Sequence, residues 1–265
     1  MSCKNFNWNL KKKKGQIALF AIIAILLISA VAFLFFIIPR LAEKKEIPSE
    51  KIEIESYIQN CVKDEVNKTV SVLSRQGGYY NVTLYRLYKG DKVGYLCYTG
   101  EFYRYCINQN PNLQEMIEKQ ITENVLESLK PCLETLKTDI EKKNYIVNIG
   151  NPAIKTHLTL NAIVINVNLT VKAEKGAETV TFSRFDIHIA SPLSKLIDYA
   201  NKIVSSETRT GDFEDVTFSL LHKDTRVYVN KVDYDTIYTL KHVDSGMNFI
   251  FAVRSYVMPE GYRLA

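Results

Sequence analysis

The feature that most constrains this 265-residue chain is an uncharged apolar run from Gln16 to Ile38. As a helix, the run spans roughly 35 Å at about 1.5 Å per residue, which is enough to cross a hydrocarbon core of about 30 Å. The apolar part of a secretory signal is only about 7–15 residues long. The segment Ala30–Ala32 matches a signal-peptidase pattern, but the chain stays apolar beyond it. The run therefore predicts a retained transmembrane helix over residues 16–38.

Charge on either side of this run predicts its orientation. Four consecutive lysines precede the run with no acidic residue near them, whereas basic and acidic residues alternate after it. These lysines are Lys11, Lys12, Lys13 and Lys14. Because lysine and arginine collect on the cytoplasmic side of a membrane helix, we expect residues 1–15 in the cytoplasm and residues 39–265 outside it. The chain would contact membrane lipid through residues 16–38, as a single-pass protein of the cell membrane.

The formal net charge of +5 resides in the N-terminal tail. Five of the 34 basic residues precede residue 39, which leaves 29 basic residues to balance 29 acidic ones in the rest of the chain. A neutral exported part lacks the basic surface that nucleic acids attract. The charge distribution therefore predicts that this chain has no nucleic-acid partner.

Five cysteines divide across the predicted membrane. Cys3 lies on the predicted inner side, and the other four lie outside, where disulfides persist. Cys97 and Cys106 bracket a short segment with a glycine turn, which suits a local disulfide. That pairing leaves Cys61 to bond with Cys132, while buried free thiols are the alternative. No Cys-x-x-Cys spacing or histidine pair indicates a metal site.

Three Asn-x-Ser/Thr triplets lie on the predicted outer side, at Asn67, Asn81 and Asn168. They are compatible with glycosylation of an exported domain. Such triplets also arise by chance, so they indicate candidate sites only.

Residues 49–143 are predicted to form a helical subdomain, rich in tyrosine and cysteine, after a connector over residues 39–48. Apolar residues recur at spacings of three and four from Ile54 to Leu73, which is typical of an amphipathic helix. We expect this helix to begin near Ser49 and to end at Gly77-Gly78.

A second amphipathic helix is predicted from the apolar pattern between Leu113 and Ile140. Pro131 falls inside the pattern and is expected to kink or split the helix near Lys130. Cys132 follows at once, so the predicted Cys61–Cys132 disulfide would join the two helices.

Between these helices, the segment from Gly77 to Cys106 holds eight of the sixteen tyrosines. Glycines divide it into short extended pieces. Tyrosine combines a large apolar face with a polar tip, which suits contact surfaces. The predicted surface for an unknown protein or glycan partner consists of Tyr79, Tyr80, Tyr95, Tyr98, Tyr103 and Tyr105. The alternative is that these rings cover a small core or lie at the membrane headgroups.

Residues 144–265 are predicted to form a mostly antiparallel sheet with a covering helix. Apolar and polar residues alternate over residues 163–171 and 180–189, with a break between Phe182 and Phe185 that suggests a bulge. A helix is expected after Pro192. Three further strands are predicted over residues 226–232, 236–243 and 248–256. The predicted fold class is α+β, behind an N-terminal transmembrane helix.

Motifs that would indicate catalysis are missing from the sequence. It contains no G-x-S-x-G, no phosphate-binding loop and no H-E-x-x-H. Acid pairs at Glu214/Asp215 and Asp233/Asp235 lie in or beside predicted turns, where solvated charge is the ordinary explanation. The four histidines lie far apart, at positions 157, 188, 222 and 242. We therefore predict no catalytic residue, no cofactor and no metal ligand.

The stretch Lys13-Lys14-Gly15-Gln16-Ile17, followed by the apolar run, resembles the class III signal of archaeal pilins and archaellins. The resemblance covers about the first forty residues. It implies cleavage between Gly15 and Gln16 by a prepilin-type peptidase, with the helix kept as the mature N-terminus. The family has a glutamate at the fifth mature position, which helps subunits register in a filament. This chain has Phe20 there.

Most of the remaining chain is similar to uncharacterised membrane-anchored proteins of small-genome archaea. The resemblance rests on five blocks: ESYIQNCV (55–62), RQGGYY (75–80), ITENVLESLKPCLETL (121–136), FSRFDIHIASPLSKLIDYANKIV (182–204) and FIFAVRSY (249–256). It implies the class of protein and assigns no activity.

Three hypotheses about function follow. The leading one is a single-pass, membrane-anchored extracytoplasmic protein with a structural or binding role at the archaeal cell surface. The second is a pilin-like filament subunit processed at Gly15/Gln16, which would be a homo-oligomer. The third is an extracytoplasmic enzyme whose site assembles only in three dimensions.

Overall fold

The computed structural model describes residues 22–29, 31, 33 and 49–256. The chain divides into two compact units, Met1–Ser49 and Glu50–Ala265. In the first unit, the described residues are α-helical. Within the described residues, no helix is both long enough and apolar enough to cross a membrane. Most of the predicted transmembrane helix, the basic tail, the connector and the processing site at Gly15 and Gln16 lie outside those residues.

Residues 49–256 form an α+β fold with mostly antiparallel sheets, which confirms the predicted class. The helices are α1 (Ser49–Arg75), α2 (Leu113–Glu141), α3 (Leu193–Thr210) and α4 (Asp215–Leu221). The strands are β1 (Tyr85–Tyr88), β2 (Asp91–Tyr98), β3 (Ile107–Asn108), β4 (Ile146–Ile149), β5 (Ala153–Thr159), β6 (Ala162–Lys175), β7 (Glu178–Ala190), β8 (Thr225–Val232), β9 (Asp235–His242) and β10 (Asn248–Arg254).

Helices α1 and α2 lie antiparallel and bury the apolar stripes that the sequence predicts. Cys61 is bonded to Cys132, with their Cα atoms 6.5 Å apart, which confirms the predicted pairing. At one end of the pair, the Lys143 ammonium lies 2.6 Å from the Glu53 carboxylate. The buried stripes consist of Ile54, Ile58, Val62, Val66, Val70 and Leu73 on α1, and Leu113, Ile117, Ile121, Val125, Leu129, Leu133, Leu136 and Ile140 on α2.

Helix α1 ends at the predicted glycine pair. Gly77 has a φ of 69°, and the backbone N–H of Gly78 donates to the Leu73 carbonyl at 2.8 Å, which closes the helix with a left-handed turn. The turn lies directly against strand β2, because a Cβ added to Gly94 would lie 2.7 Å from the carbonyl oxygen of Gln76. A residue with a side chain at position 94 would therefore force the helix end and the strand apart.

Helix α2 runs without interruption through Pro131, so of the two predicted outcomes, a kink or a split near Lys130, the split is wrong. Pro131 is exposed, whereas Leu129 and Leu133 on either side of it are buried in the core. Proline removes one backbone hydrogen bond from the helix. Here the buried leucines hold both halves of the helix against the sheet, which offsets that loss.

Strand β6 is the centre of the first sheet, which we call the hairpin sheet. It pairs with β7 along one side and with β5 and β4 in turn along the other, always antiparallel. The register of β6 and β7 shifts between Asn168 and Val171, opposite the step from Phe182 to Phe185. This confirms the predicted hairpin and its irregularity. Strands β4 and β5 were not predicted.

The second sheet has the order β1-β2-β10-β9-β8, with β3 added to β2, and we call it the mixed sheet. Strands β2 and β10 are parallel, and the other pairs are antiparallel. Helix α3 packs on β2, β9 and β10. The regions that the sequence analysis assigned to a helical subdomain (49–143) and a sheet domain (144–265) therefore share one sheet.

Removing the Cys61–Cys132 disulfide with the double variant Cys61→Ala/Cys132→Ala is expected to lower the free energy of unfolding by about 4 kcal/mol. The bond closes a loop of 71 residues, which restricts the unfolded chain. The control Cys97→Ala/Cys106→Ala opens a loop of nine residues and should cost roughly 2.5–3 kcal/mol. Denaturant titration followed by circular dichroism measures both losses. A smaller loss for the first variant than for the control would contradict this expectation.

Candidate functional site

Aromatic side chains project from a short loop that a disulfide closes. The loop covers residues 99–106, between β2 and β3, and we call it the clip loop. Cys97 is bonded to Cys106 at its base, with a Cα separation of 5.3 Å, as the sequence predicted. Tyr103 is 70% exposed, and Phe102 and Tyr105 are 48% and 47% exposed. The clip loop therefore presents three rings to solvent.

Tyr103 has an uncommon backbone conformation, with a φ of 60°. For a residue with a Cβ, the left-handed region costs about 1–2 kcal/mol relative to the right-handed one. Such strain persists only where the surrounding structure fixes the backbone. The positive φ therefore indicates that the surrounding loop holds the backbone of Tyr103 in place.

The end of strand β10 holds the clip loop in place. The backbone N–H of Thr99 donates to the Arg254 carbonyl at 3.0 Å, and the N–H of Glu101 donates to the Thr99 hydroxyl at 3.2 Å. The Phe102 ring lies 4.8 Å from the ring of Tyr256, which follows β10. These contacts fix both the base of the loop and one of its rings.

An open groove of about 480 Å³ runs beside the loop. It is lined by Thr99, Glu101, Tyr103, Arg104, Tyr105, Cys106, Ile107 and Thr208. The Arg104 Nε lies 2.8 Å from a carboxylate oxygen of Glu101, and both side chains are well exposed. The groove combines aromatic faces with hydroxyl and charged groups, a composition that suits contact with a polar partner.

A partly buried ion pair lies at the end of β10 that holds the clip loop. The Arg254 guanidinium binds the Asp235 carboxylate through two contacts, Nε–Oδ1 at 2.6 Å and Nη2–Oδ2 at 2.9 Å. The Asp235 side chain is fully buried, and Arg86 Nη1 lies 3.4 Å from it. The expectation that Asp235 is a solvated charge beside a turn is therefore wrong. The burial follows from the β9–β10 register, which places Arg254 opposite Asp235 inside the sheet.

Two tyrosines enclose the Arg254 guanidinium. Its Cζ lies 5.4 Å from the ring centres of both Tyr95 and Tyr98, and its Nη2 donates to the Tyr95 hydroxyl at 3.0 Å. The hydrogen bond to Asp235 raises the pKa of Arg254, while burial and then Asp235 raise the pKa of Tyr95. Both groups keep their protons through neutral pH, as a structural support would, rather than exchanging them.

The predicted tyrosine surface divides into three parts. Tyr103 and Tyr105 are exposed, in agreement with a contact role. Tyr79, Tyr80 and Tyr98 are half-buried. Tyr95 is buried and bonded to Arg254, so it cannot reach a partner. Burial also raises the pKa of Tyr79, which packs beside Gly94. The exposed aromatic surface therefore contains fewer of the predicted tyrosines and gains Phe102.

A polar cluster joins α3 to the start of β8. The Lys195 ammonium lies 2.8 Å from Asp224, and this hydrogen bond lowers the pKa of the Asp224 carboxyl. The Tyr199 hydroxyl lies 3.2 Å from Nδ1 of His222. Burial raises the pKa of Tyr199. The His222 ring packs between Tyr199 and Phe218, with centroid distances of 4.7 and 4.3 Å. These contacts connect α3, α4 and β8 structurally.

The remaining candidate sites are widely separated. Within the described residues, no group of three or more His, Cys, Asp or Glu side chains could hold a metal ion. Asn67, Asn81 and Asn168 are all exposed, on α1, in the loop before β1 and on β6 respectively. The lysines at positions 11–14 and the processing site lie outside the described residues.

No family model, no curated protein and no solved structure matches this chain. Function is therefore inferred from the chemistry of the site itself. The Arg254–Asp235 pair was missed at the sequence level, although a signal for it was present. The sequence Asp244-Ser245-Gly246, a typical hairpin turn between β9 and β10, fixes the register that places the two side chains opposite each other.

Replacing Asp235 by Asn is expected to lower the free energy of unfolding by about 3–5 kcal/mol, because it leaves the Arg254 guanidinium without its buried counter-charge. Asp186 provides the matched control, since it pairs with Arg184 at 3.0 Å on an exposed strand face. There, Asp186→Asn should cost far less, because solvent screens the exposed pair. Denaturant titration measures both variants, and equal losses would show that the buried pair has no special role.

Replacing Tyr103 by Gly is expected to relieve the left-handed strain, which offsets the greater flexibility that glycine gives the unfolded chain. The control Tyr105→Gly removes a similarly exposed ring at a position without positive φ. We expect Tyr103→Gly to be more stable than Tyr105→Gly by about 1–2 kcal/mol, measured by thermal and denaturant unfolding. Equal stability of the two variants would contradict the assigned strain.

Proposed function

We propose that this chain is a single-pass, membrane-anchored protein of the cell surface with a binding or structural role. In this proposal residues 16–38 anchor the protein, residues 1–15 lie in the cytoplasm and residues 49–256 lie outside it. The clip loop is the contact surface. The archaeal setting, implied by the sequence resemblances, is part of the same proposal.

The two disulfides support an extracytoplasmic position. Both of them, Cys61–Cys132 and Cys97–Cys106, lie in the part of the chain that the lysine distribution assigns to the outer side. Disulfides persist in oxidising compartments and are rare where the thiol pools are reduced. The two disulfides and the distribution of lysines therefore support the same proposal, that residues 49–256 lie outside the cytoplasm.

The observation that carries the binding role is the clip loop itself. It exposes three aromatic rings on a backbone fixed by a disulfide and by strand β10, and one of these rings belongs to a residue with positive φ. Rigid aromatic side chains give large contact areas at low entropic cost. A loop that served only to connect β2 with β3 would not need this arrangement.

The length of α1 separates the clip loop from the anchor in this proposal. The helix has 27 residues and is therefore about 40 Å long. The mixed sheet, which carries the clip loop, contacts the C-terminal end of α1, where Arg75 lies 3.6 Å from Asp91. In this proposal α1 begins ten residues after the predicted span and ends against the sheet that carries the clip loop.

Two measurements on the full-length chain test the proposal. Protease added to intact cells should cleave within residues 49–256, whereas inverted vesicles should protect them until detergent is added. Isolated cell envelopes should bind the detergent-purified chain, and Tyr103→Gly and Tyr105→Ala should each weaken binding about tenfold or more, since central aromatic residues dominate contact energies. The control is Tyr228→Ala on β8, where the ring is 45% exposed.

Cleavage of residues 49–256 in inverted vesicles without detergent would overturn the orientation. Equal binding by the two loop variants, the control and the unmodified chain would remove the clip loop from the proposal. Intact mass of the native chain under non-reducing conditions separates the pilin-like alternative, because processing would leave Gln16 as the first residue.

A further inference from the structure

A second cavity lies at the opposite end of α1 from the mixed sheet. It has a volume of about 480 Å³ and opens between the first turns of α1, the last turns of α2 and the tip of the β6–β7 hairpin. Its walls are mainly apolar, with Ile54, Tyr57, Leu136, Ile140, Ala173 and Val180 among the lining residues. A cavity of this size and character is typical of sites that enclose an apolar ligand.

The charges at the mouth of this cavity are balanced. The Lys143 ammonium lies 2.6 Å from the Glu53 carboxylate, and the Lys142 ammonium lies 2.9 Å from the Asp139 carboxylate. Each lysine on this rim therefore faces a carboxylate. A rim of this kind does not select an ion by net charge, whereas the apolar walls favour a hydrocarbon group.

In the sequence, the residues that line the cavity begin shortly after the predicted anchor. Glu53 and Tyr57 lie in the first turns of α1, and only ten residues separate Ser49 from the end of the predicted span at Ile38. A fully extended connector of that length reaches at most about 35 Å. Tyrosine is also enriched at the membrane–water interface. The short connector therefore limits the distance between the end of the predicted span and the start of α1.

We propose that this cavity binds one hydrocarbon chain of a membrane lipid. The inference rests on the proposed function, because it requires the anchor to hold α1 at the bilayer. The ligand is defined by its chemistry, an alkyl or isoprenoid chain that leaves the bilayer and packs against Ile54, Leu136 and Val180. Its headgroup would remain at the rim, among the paired charges of Lys142 and Lys143.

Photo-crosslinking of the full-length chain in vesicles tests the proposal. The vesicles contain a phospholipid with a diazirine near the end of one acyl chain, and labelled residues are identified by peptide mass mapping. We expect label on the cavity residues Tyr57, Leu136 and Val180 in addition to label within residues 16–38. Label confined to residues 16–38 would overturn the proposal, as would a cross-link showing that residues 39–48 or a second copy of the chain fills the cavity.

A matched pair of substitutions makes the test independent of general lipid contact. Val180→Trp places a large ring in the cavity and should lower labelling of Tyr57 and Leu136 at least fivefold. The control Val243→Trp makes the same change at a half-exposed site outside the lining, and should leave labelling unchanged. Thermal unfolding verifies that both variants fold. Equal labelling of the cavity in both folded variants would overturn the inference. If Val180→Trp does not fold, the cross-linking of the unmodified chain tests the inference alone.

Carbonate extraction of the same vesicles separates this inference from the proposed function. A chain that stays in the membrane but shows no label in the cavity overturns the lipid site alone. A chain that carbonate releases from the vesicles overturns the anchor, and the lipid site with it.

Discussion

The packing of α1 against α2, joined by the Cys61–Cys132 disulfide, is the contact on which the rest of the structure depends. The apolar stripes of both helices and the inner face of β6 form one continuous core. The hairpin sheet is thereby held against the helices. At its C-terminal end, α1 meets β2 through Gly77 and Gly94, so the same helix also positions the mixed sheet. Burial of apolar surface drives folding, while the disulfide reduces the number of conformations available to the unfolded chain.

The mixed sheet depends in turn on the pairing of Arg254 with Asp235. Burying two charges is costly, and only close, bidentate hydrogen bonding compensates for it. Here that bonding fixes the end of β10, and the Arg254 carbonyl accepts the hydrogen bond that anchors Thr99 at the base of the clip loop. The Tyr95 and Tyr98 rings shield the guanidinium from water. A polar pair in the sheet thus determines where exposed aromatic rings are presented.

The two proposals concern opposite ends of the same helix. In its first turns, α1 contributes Ile54 and Tyr57 to an apolar cavity. At Arg75 it contacts the sheet that carries the clip loop. The 27-residue helix therefore connects the elements around the cavity with the sheet that carries the clip loop.

Local elements could be predicted from the sequence because their signals are periodic or short-range. Examples are the stripes of α1 and α2, the β6–β7 hairpin, the glycine stop after Leu73 and the short Cys97–Cys106 segment. The Cys61–Cys132 pairing was predicted only by elimination. The tertiary structure alone decided that β2 pairs in parallel with β10, which joins segments some 150 residues apart and leaves no local pattern. That pairing buries Tyr95, removes it from the predicted surface and brings the clip loop to the end of β10. Continuity of α2 through Pro131 was likewise decided by the tertiary structure. Burial of Leu129 and Leu133 on either side of the proline outweighs the hydrogen bond that the proline removes.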